Sequence, residues 1–154
     1  MRVPVTTGDA PTRARALRRA VLALAAVSPA VVLTGCDRPL PAVTLAADGG
    51  SVRTEATTWC DDVACSERAV AVPELGVHPG EWVLVGVDTT VAERPWHVVV
   101  DGRALPPVST GRTTYELTAP HLQPGERQVV EVIAPDPSPE RPPGRWTLHL
   151  VARD

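Results

Sequence analysis

Apolar and polar residues alternate in short runs along most of the chain. The clearest runs are RQVVEVIA at 127–134 and RWTLHLVAR at 145–153. SVRTEATTW at 51–59 and RAVAVPEL at 68–75 are also expected as strands, and TTVAER at 89–94 as a loop. Turn sequences such as Asp48-Gly49-Gly50 and His78-Pro79-Gly80 separate the runs. Alternation with a period of two is typical of half-buried β-strands, and no window carries a helical period. The pattern therefore predicts an all-β domain over residues 43–154. We expect an antiparallel β-sandwich of seven or eight strands.

The hydrophobic core of such a domain has few large side chains to draw on. The chain has no phenylalanine and one tyrosine, so we expect its four tryptophans to fill the core: Trp59, Trp82, Trp96 and Trp146. Trp96 shares a strand face with Val98 and Val100, which favours the core. Trp146 shares one with Leu148 and Leu150. For Trp59, beside a cysteine, a core position and an exposed platform for sugars remain equal alternatives.

The first 35 residues follow a different pattern. Five arginines precede residue 20, and fourteen uncharged, mainly apolar residues follow at 20–33. A basic start and a short apolar run are typical of a secretory signal peptide, which we assign to residues 1–35. The run is shorter than the roughly 20 residues that a transmembrane helix needs. The Arg18-Arg19 pair leaves twin-arginine export open beside the general secretory route.

The apolar run ends in Leu33-Thr34-Gly35-Cys36, which resembles the lipobox of bacterial lipoproteins. The resemblance implies cleavage before Cys36 and attachment of diacylglycerol to its thiol. Two acyl chains are enough for stable attachment. Residues 36–42 would then be a lipidated tether, and the expected location is the extracytoplasmic face of the cell membrane.

Charge excludes one class of partner. Five of the 15 basic residues and one of the 18 acidic residues precede Cys36, so the remainder carries 10 basic and 17 acidic residues, a formal charge near −7. An acidic domain lacks the basic footprint that nucleic acid requires. Every basic residue is an arginine, so the chain has no lysine for Schiff-base or Walker-type chemistry.

The two remaining cysteines lie close together in WCDDVAC. In an exported protein, Cys60 and Cys65 are expected to form a disulfide. Half of a metal site is the alternative, although no second cysteine pair completes it. The enclosed Asp61 and Asp62 are either a solvated turn or candidate binding residues.

Two histidines and an aspartate are a second set of candidate metal ligands. His97 and His149 alternate away from the neighbouring tryptophans, and Asp101 shares a face with His97, so these three side chains converge if their strands are neighbours. Solvated surface histidines are the simpler interpretation. The chain has no paired-histidine motif, and its one methionine is Met1, which excludes carriers that use His/Met copper sites. No cofactor is predicted.

No pattern in the sequence indicates catalysis. No serine lies in a nucleophile motif, and we assign no catalytic residue. The segment 134–144 has five prolines in eleven residues, which predicts an exposed, extended stretch. It is either a recognition loop or a stiff connector.

Two wider resemblances follow from particular motifs. The order strand, leucine, Pro-Gly, strand in residues 115–134 resembles the segment of fibronectin type III and immunoglobulin-like domains that crosses between their sheets, although an aromatic usual after Pro-Gly is missing. The resemblance implies that the expected antiparallel β-sandwich of seven or eight strands is immunoglobulin-like. The lipobox, VTLAADG, TTWCD with a second cysteine, and RPWHVVV resemble small actinobacterial lipoproteins of unknown function.

Together these features predict a membrane-anchored envelope lipoprotein that is a non-catalytic binding or assembly module for an unknown envelope protein or ligand. The alternative is an extracytoplasmic carrier of a metal or small ligand that uses His97 and His149.

Overall fold

A computed structural model describes residues 39–153, which form two packed β-sheets. The prediction of an all-β sandwich is confirmed. The elements, in chain order, are β1 (Ala42–Ala47), β2 (Gly50–Glu55), β3 (Thr58–Cys60), β4 (Cys65–Glu67), β5 (Glu74–Val77), β6 (Trp82–Val87), α1 (Thr89–Ala92), β7 (His97–Val100), β8 (Arg103–Ala104), β9 (Thr114–Thr118), β10 (Arg127–Ala134) and β11 (Gly144–Ala152).

The first sheet has four strands in the order β2-β1-β6-β9, all antiparallel. Strands β2 and β9 form its two edges. The predicted turn Asp48-Gly49-Gly50 joins β1 to β2, and Gly50, with φ of 140°, is already the first residue of β2. That conformation is accessible to glycine at little cost.

The second sheet has seven strands, built along the nine-residue strand β11. Strand β10 pairs along one edge of β11, and β7 and β8 continue outward from β10. The other edge of β11 is shared: β3 pairs near its start and β5 pairs, in parallel, near its end. The β5 pairing is the one exception to the antiparallel arrangement among the described strands.

The described chain has eleven strands rather than seven or eight, because several predicted runs are divided or shortened. SVRTEATTW, expected as one strand, breaks at Ala56 and Thr57, where the chain leaves β2 in the first sheet and enters β3 in the second. Of the expected strand RAVAVPEL, only Glu74 and Leu75 belong to a strand, β5. The expected loop TTVAER contains the single helical turn α1.

The core lies between the sheets and is built from the inward residues of alternating strands. Trp96 and Trp146 are fully buried, as predicted, beside valines and leucines. Each indole N–H donates a hydrogen bond to a backbone carbonyl, Trp96 to Arg112 at 2.8 Å and Trp146 to Pro41 at 2.8 Å. These bonds satisfy the polar atom that burial of a tryptophan would otherwise leave unpaired.

Two predicted segment boundaries can be compared with the fold. Strand β9 belongs to the first sheet and β10 to the second, so residues 115–134 do cross between sheets. The Pro41 carbonyl also accepts a hydrogen bond from the Ala56 amide, so the end of the segment assigned to the tether is already part of the sandwich.

Cys36 and the signal peptide assigned to 1–35 lie outside the described residues. No helix within 39–153 is long and apolar enough to cross a membrane.

Candidate binding surfaces

The first candidate surface is the disulfide loop. Cys60 and Cys65 are bonded, as predicted, across the paired ends of β3 and β4. The Asp61 carboxylate Oδ1 accepts hydrogen bonds from the amides of Val63 and Ala64, both at 2.8 Å. An aspartate that bonds the amides two and three residues ahead stabilises a tight turn. Asp61 therefore has a structural role, whereas Asp62 and Val63 are displayed to solvent, Val63 with 89% of its area exposed.

Behind this loop, Trp59 is buried beneath an arginine. Its ring packs 5.6 Å from the Trp146 ring, centroid to centroid, and the Arg94 guanidinium lies 4.3 Å above its centre. Arg94 also donates to the Cys60 carbonyl at 2.8 Å and pairs with Asp136 at 3.0 Å. Trp59 is 5% exposed, which places it in the core and excludes an exposed sugar platform.

The proline-rich segment 134–144 lies against the same loop. Asp136 belongs to it and holds Arg94, and Arg141 donates to the Asp61 carbonyl at 2.7 Å. Gly144, at its end, lies so close to Trp59 that an added Cβ would come within 2.7 Å of the ring. We call this assembly of the disulfide loop, segment 134–144, Trp59 and Arg94 the stapled end. Its contacts favour a stiff connector over a mobile recognition loop.

The structure does not bring the candidate metal ligands together. His97 lies opposite Ile133 on one side of β10, and His149 lies opposite Val129 on the other side. Four residues of strand separate them by about 13 Å along β10 alone. Zinc ligands must lie about 2 Å from one ion, so these two histidines cannot share one in this fold. No metal-competent cluster of His, Cys, Asp or Glu occurs within residues 39–153.

Two members of the expected metal triad have other partners. His149 Nδ1 lies 3.8 Å from Glu74, whose carboxylate also pairs with Arg127 at 2.8 Å. Asp101 forms the turn between β7 and β8 with Gly102, both at positive φ, as in a two-residue hairpin. The Asp101 carboxylate accepts from the Val129 amide at 2.9 Å and from Gln128 at 3.1 Å.

The second candidate surface was missed by the sequence analysis. Trp82 was expected in the core, but 67% of its area is exposed, so that prediction is wrong. Strand β6 is apolar on both faces, and the fold buries Val83, Val85 and Val87. Because residues of a strand alternate between faces, Trp82 and Leu84 must then point outward.

Around Trp82 the outer face of the first sheet forms an acidic hollow. The register aligns Trp82 with Thr118 on β9, and Leu84 with Glu116 on β9 and with Ala46 on β1. The hollow beside the indole measures about 470 Å³ and is lined by Ala46, Ala47, Asp48, Trp82, Val83, Leu84 and Glu116. The charged residues in this lining are Asp48 and Glu116, and both are acidic. We call this surface the tryptophan face.

Glu81 fixes the chain at the edge of this surface. Its Oε2 accepts a hydrogen bond from the His78 amide at 2.8 Å, which closes the turn before β6. Bonding to the His78 backbone, with smaller contributions from the amides of Asp48 and Gly49, lowers the pKa of Glu81 below its ordinary value. The charged form of Glu81 therefore holds the turn that precedes Trp82.

One feature of the sequence does point to this surface. In EWVLVGVD, the set Val83, Val85 and Val87 forms an unbroken β-branched face, while the other face carries Trp82, Leu84 and Gly86. β-branched residues fit a packed sheet surface well, which favours burial of the valine face. The acidic residues that complete the tryptophan face come from β9 and the β1–β2 turn, and their proximity follows only from strand order.

Comparison of the chain with protein-family models, with curated proteins and with solved structures finds no match.

Proposed function

We propose that this chain is a membrane-anchored envelope lipoprotein whose sandwich is a non-catalytic binding or assembly module, and that the tryptophan face is its contact surface. The observation that supports the proposal is the exposure of Trp82. A large aromatic ring in water forfeits the free energy that its burial would provide. Binding surfaces are enriched in tryptophan because one ring supplies much contact area with little loss of conformational freedom.

The surroundings of Trp82 define the chemistry of the partner. Asp48 and Glu116 line the hollow beside the indole, and no arginine lines it among the residues described. An aromatic face attracts cations, and adjacent carboxylates add charge-assisted hydrogen bonds. The tryptophan face therefore fits a partner that presents an arginine or lysine side chain.

The experiment is a comparison of two exposed apolar residues at distant places. Crosslinking in intact envelopes should yield a partner adduct. Trp82→Ala should lower the affinity for that partner by about 30-fold, the effect of losing about 2 kcal/mol at an interface centre, and should reduce the adduct accordingly. Val63→Ala, in the disulfide loop, is the matched control and should leave the adduct unchanged. If Val63→Ala removes the adduct and Trp82→Ala does not, the contact surface is the disulfide loop instead.

The membrane anchor is tested separately. Diacylglycerol on Cys36 is supported by the lipobox resemblance, and its two chains are sufficient for stable attachment. We expect Cys36→Ala to accumulate as uncleaved precursor without the lipid mass. Normal processing and membrane retention of the variant would rule out the lipoprotein assignment.

A further inference from the structure

Strand β9 ends the first sheet with a row of hydrogen-bonding groups. Its pairing with β6 uses alternate residues: the Ala119 amide donates to the Glu81 carbonyl, and the Val87 amide donates to the Thr113 carbonyl. In an antiparallel pair, residues between the bonded ones direct their N–H and C=O groups to the opposite side. Thr114, Glu116 and Thr118 therefore direct these groups away from β6, and no strand within 39–153 pairs there.

A groove between the two sheets opens beside this edge. It measures about 410 Å³ and is lined by Val100, Arg103, Leu105, Tyr115, Glu116, Leu117, Thr118 and Gln128. Tyr115 and Leu117 alternate inward on β9, whereas Thr114, Glu116 and Thr118 are exposed on the outer side. The edge thus offers backbone partners, a carboxylate on one side, and on the other a groove whose lining includes the apolar side chains of Val100, Leu105 and Leu117.

Charge disfavours a second copy of this chain as the occupant. Antiparallel pairing of two β9 strands over their full length would place Glu116 directly opposite the Glu116 of the other copy. Like charges directly opposite each other on a sheet are destabilising. A segment with arginine or lysine at that position would instead gain a favourable cross-strand pair, and its neighbouring residues would point toward Tyr115 and Leu117.

We propose that β9 accepts an extended segment of a partner protein as a fifth strand of the first sheet, with a basic side chain beside Glu116 and apolar side chains on both sides of it entering the groove. Added strands of this kind gain affinity from main-chain hydrogen bonds and specificity from alternate side chains. The inference rests on the proposed binding function and specifies how the partner is held.

The probe is the capped pentapeptide TVRVT, which matches β9 in length and places its arginine opposite Glu116. We expect it to bind the full chain, purified in detergent, with a Kd of about 1 mM, seen as shifts of the Thr114, Glu116 and Thr118 amide resonances. Absence of these shifts at about 5 mM peptide, or equal shifts along β2, would overturn the proposal.

Two variants test the mode of binding. Thr118→Pro removes an outward amide without removing a β6 bond, and proline is tolerated at such edge positions. It should lower the affinity for TVRVT at least fivefold. Ser51→Pro, the equivalent change on the opposite edge strand β2, should leave this affinity unchanged. Equal weakening by both variants, with unchanged thermal midpoints, would contradict strand addition at β9.

A charge exchange and an oligomer measurement complete the test. Glu116→Arg should lose affinity for TVRVT at least fivefold and gain it for TVEVT, a reversal that misfolding cannot produce. Sedimentation then measures whether the chain dimerises through β9. Such a dimer formed by Glu116→Gln but not by the unsubstituted chain would support the charge argument. Such a dimer of the unsubstituted chain would overturn it.

The outcomes separate this inference from the proposed function. If Trp82→Ala removes the partner adduct but Thr118→Pro does not, the tryptophan face binds and strand addition is wrong. If Thr118→Pro removes the adduct and Trp82→Ala does not, the edge binds and the tryptophan face is not the contact.

Discussion

Two tryptophans of this small domain differ in exposure: Trp59 is buried, whereas Trp82 is exposed to solvent. Trp59 is 5% exposed and is enclosed by Trp146, Gly144 and the Arg94 guanidinium, whereas Trp82 is 67% exposed on the outer face of the first sheet. Trp59 lies in a region where several loops converge and are fixed by a disulfide and two arginines. The stapled end is thus a tightly bonded region, whereas the tryptophan face is exposed to solvent and accessible to a partner.

The difference lies in what surrounds each ring. At the stapled end, arginine side chains bond backbone carbonyls of a neighbouring loop, so polar atoms are satisfied as the ring is buried. On the tryptophan face, the neighbours on β1 and β9 are small or polar and leave the ring uncovered. Stability and contact with a partner are thus expected to depend on different tryptophans.

The largest expected effect is on stability. If it is not observed, the contrast between Trp59 and Trp82 is wrong. Trp59→Ala should lower the free energy of unfolding by about 3–5 kcal/mol, since it leaves a cavity beside Trp146. Trp82→Ala should change it by less than about 1 kcal/mol, because the ring is mostly solvated. Chemical denaturation of both variants provides the measurement. Comparable losses would mean that Trp82 is part of the folded core in solution.

The second prediction concerns the ion pair over Trp59. The Arg94 and Asp136 side chains are 16% and 5% exposed, so Asp136→Asn weakens a charge-assisted bond in a shielded place. We expect a loss of about 2–3 kcal/mol in the free energy of unfolding. The matched control is Glu131→Gln, which weakens the Arg145–Glu131 pair, whose side chains are 48% and 22% exposed. The control should cost less than about 1 kcal/mol.

Much of the fold could be predicted from alternation alone. Strands β10 and β11 follow their apolar periods, and Trp96 and Trp146 are buried where those periods place them. Division of the run SVRTEATTW between sheets could not be predicted. Its polar–apolar alternation continues through Ala56, and only the position of β11 assigns β3 to the other sheet.

The candidate sites were predicted less completely, for a physical reason. Cysteine spacing identifies a disulfide because the two residues are neighbours in sequence. The separation of His97 from His149, and the meeting of Asp48, Trp82 and Glu116, depend on which strands are adjacent and in what register. A strand that is apolar on both faces, such as β6, indicates its buried face only through its row of β-branched residues, a weaker signal than polar–apolar alternation.

The third prediction tests how much the disulfide contributes to the stapled end. Replacing both Cys60 and Cys65 by serine should lower the free energy of unfolding by about 2 kcal/mol, the chain-entropy estimate for a loop this short. The loss should be smaller than that of Trp59→Ala, since the arginine contacts remain. Binding at the tryptophan face should be unchanged. Loss of the partner adduct in a folded double variant would show that the two regions are coupled.

The smallest expected effect concerns the turn beside Trp82 and depends on pH. Folding lowers the pKa of Glu81, chiefly through the hydrogen bond from the His78 amide. A depressed folded-state pKa contributes stability that is fully present above the unfolded value, about 4.3, and is lost as pH falls through the folded value. Glu81→Gln should therefore unfold at a lower temperature than the unsubstituted chain at pH 7.

The difference between the two midpoints should shrink as pH falls from about 5 and vanish in stronger acid, where Glu81 is protonated in both states. Glu140→Gln, in segment 134–144, controls for the loss of one acidic side chain from the surface. Thermal midpoints measured across this pH range provide the test. A difference that stays constant with pH would show that Glu81 acts through its shape and not through its charge, and Trp82 would then be held without the carboxylate.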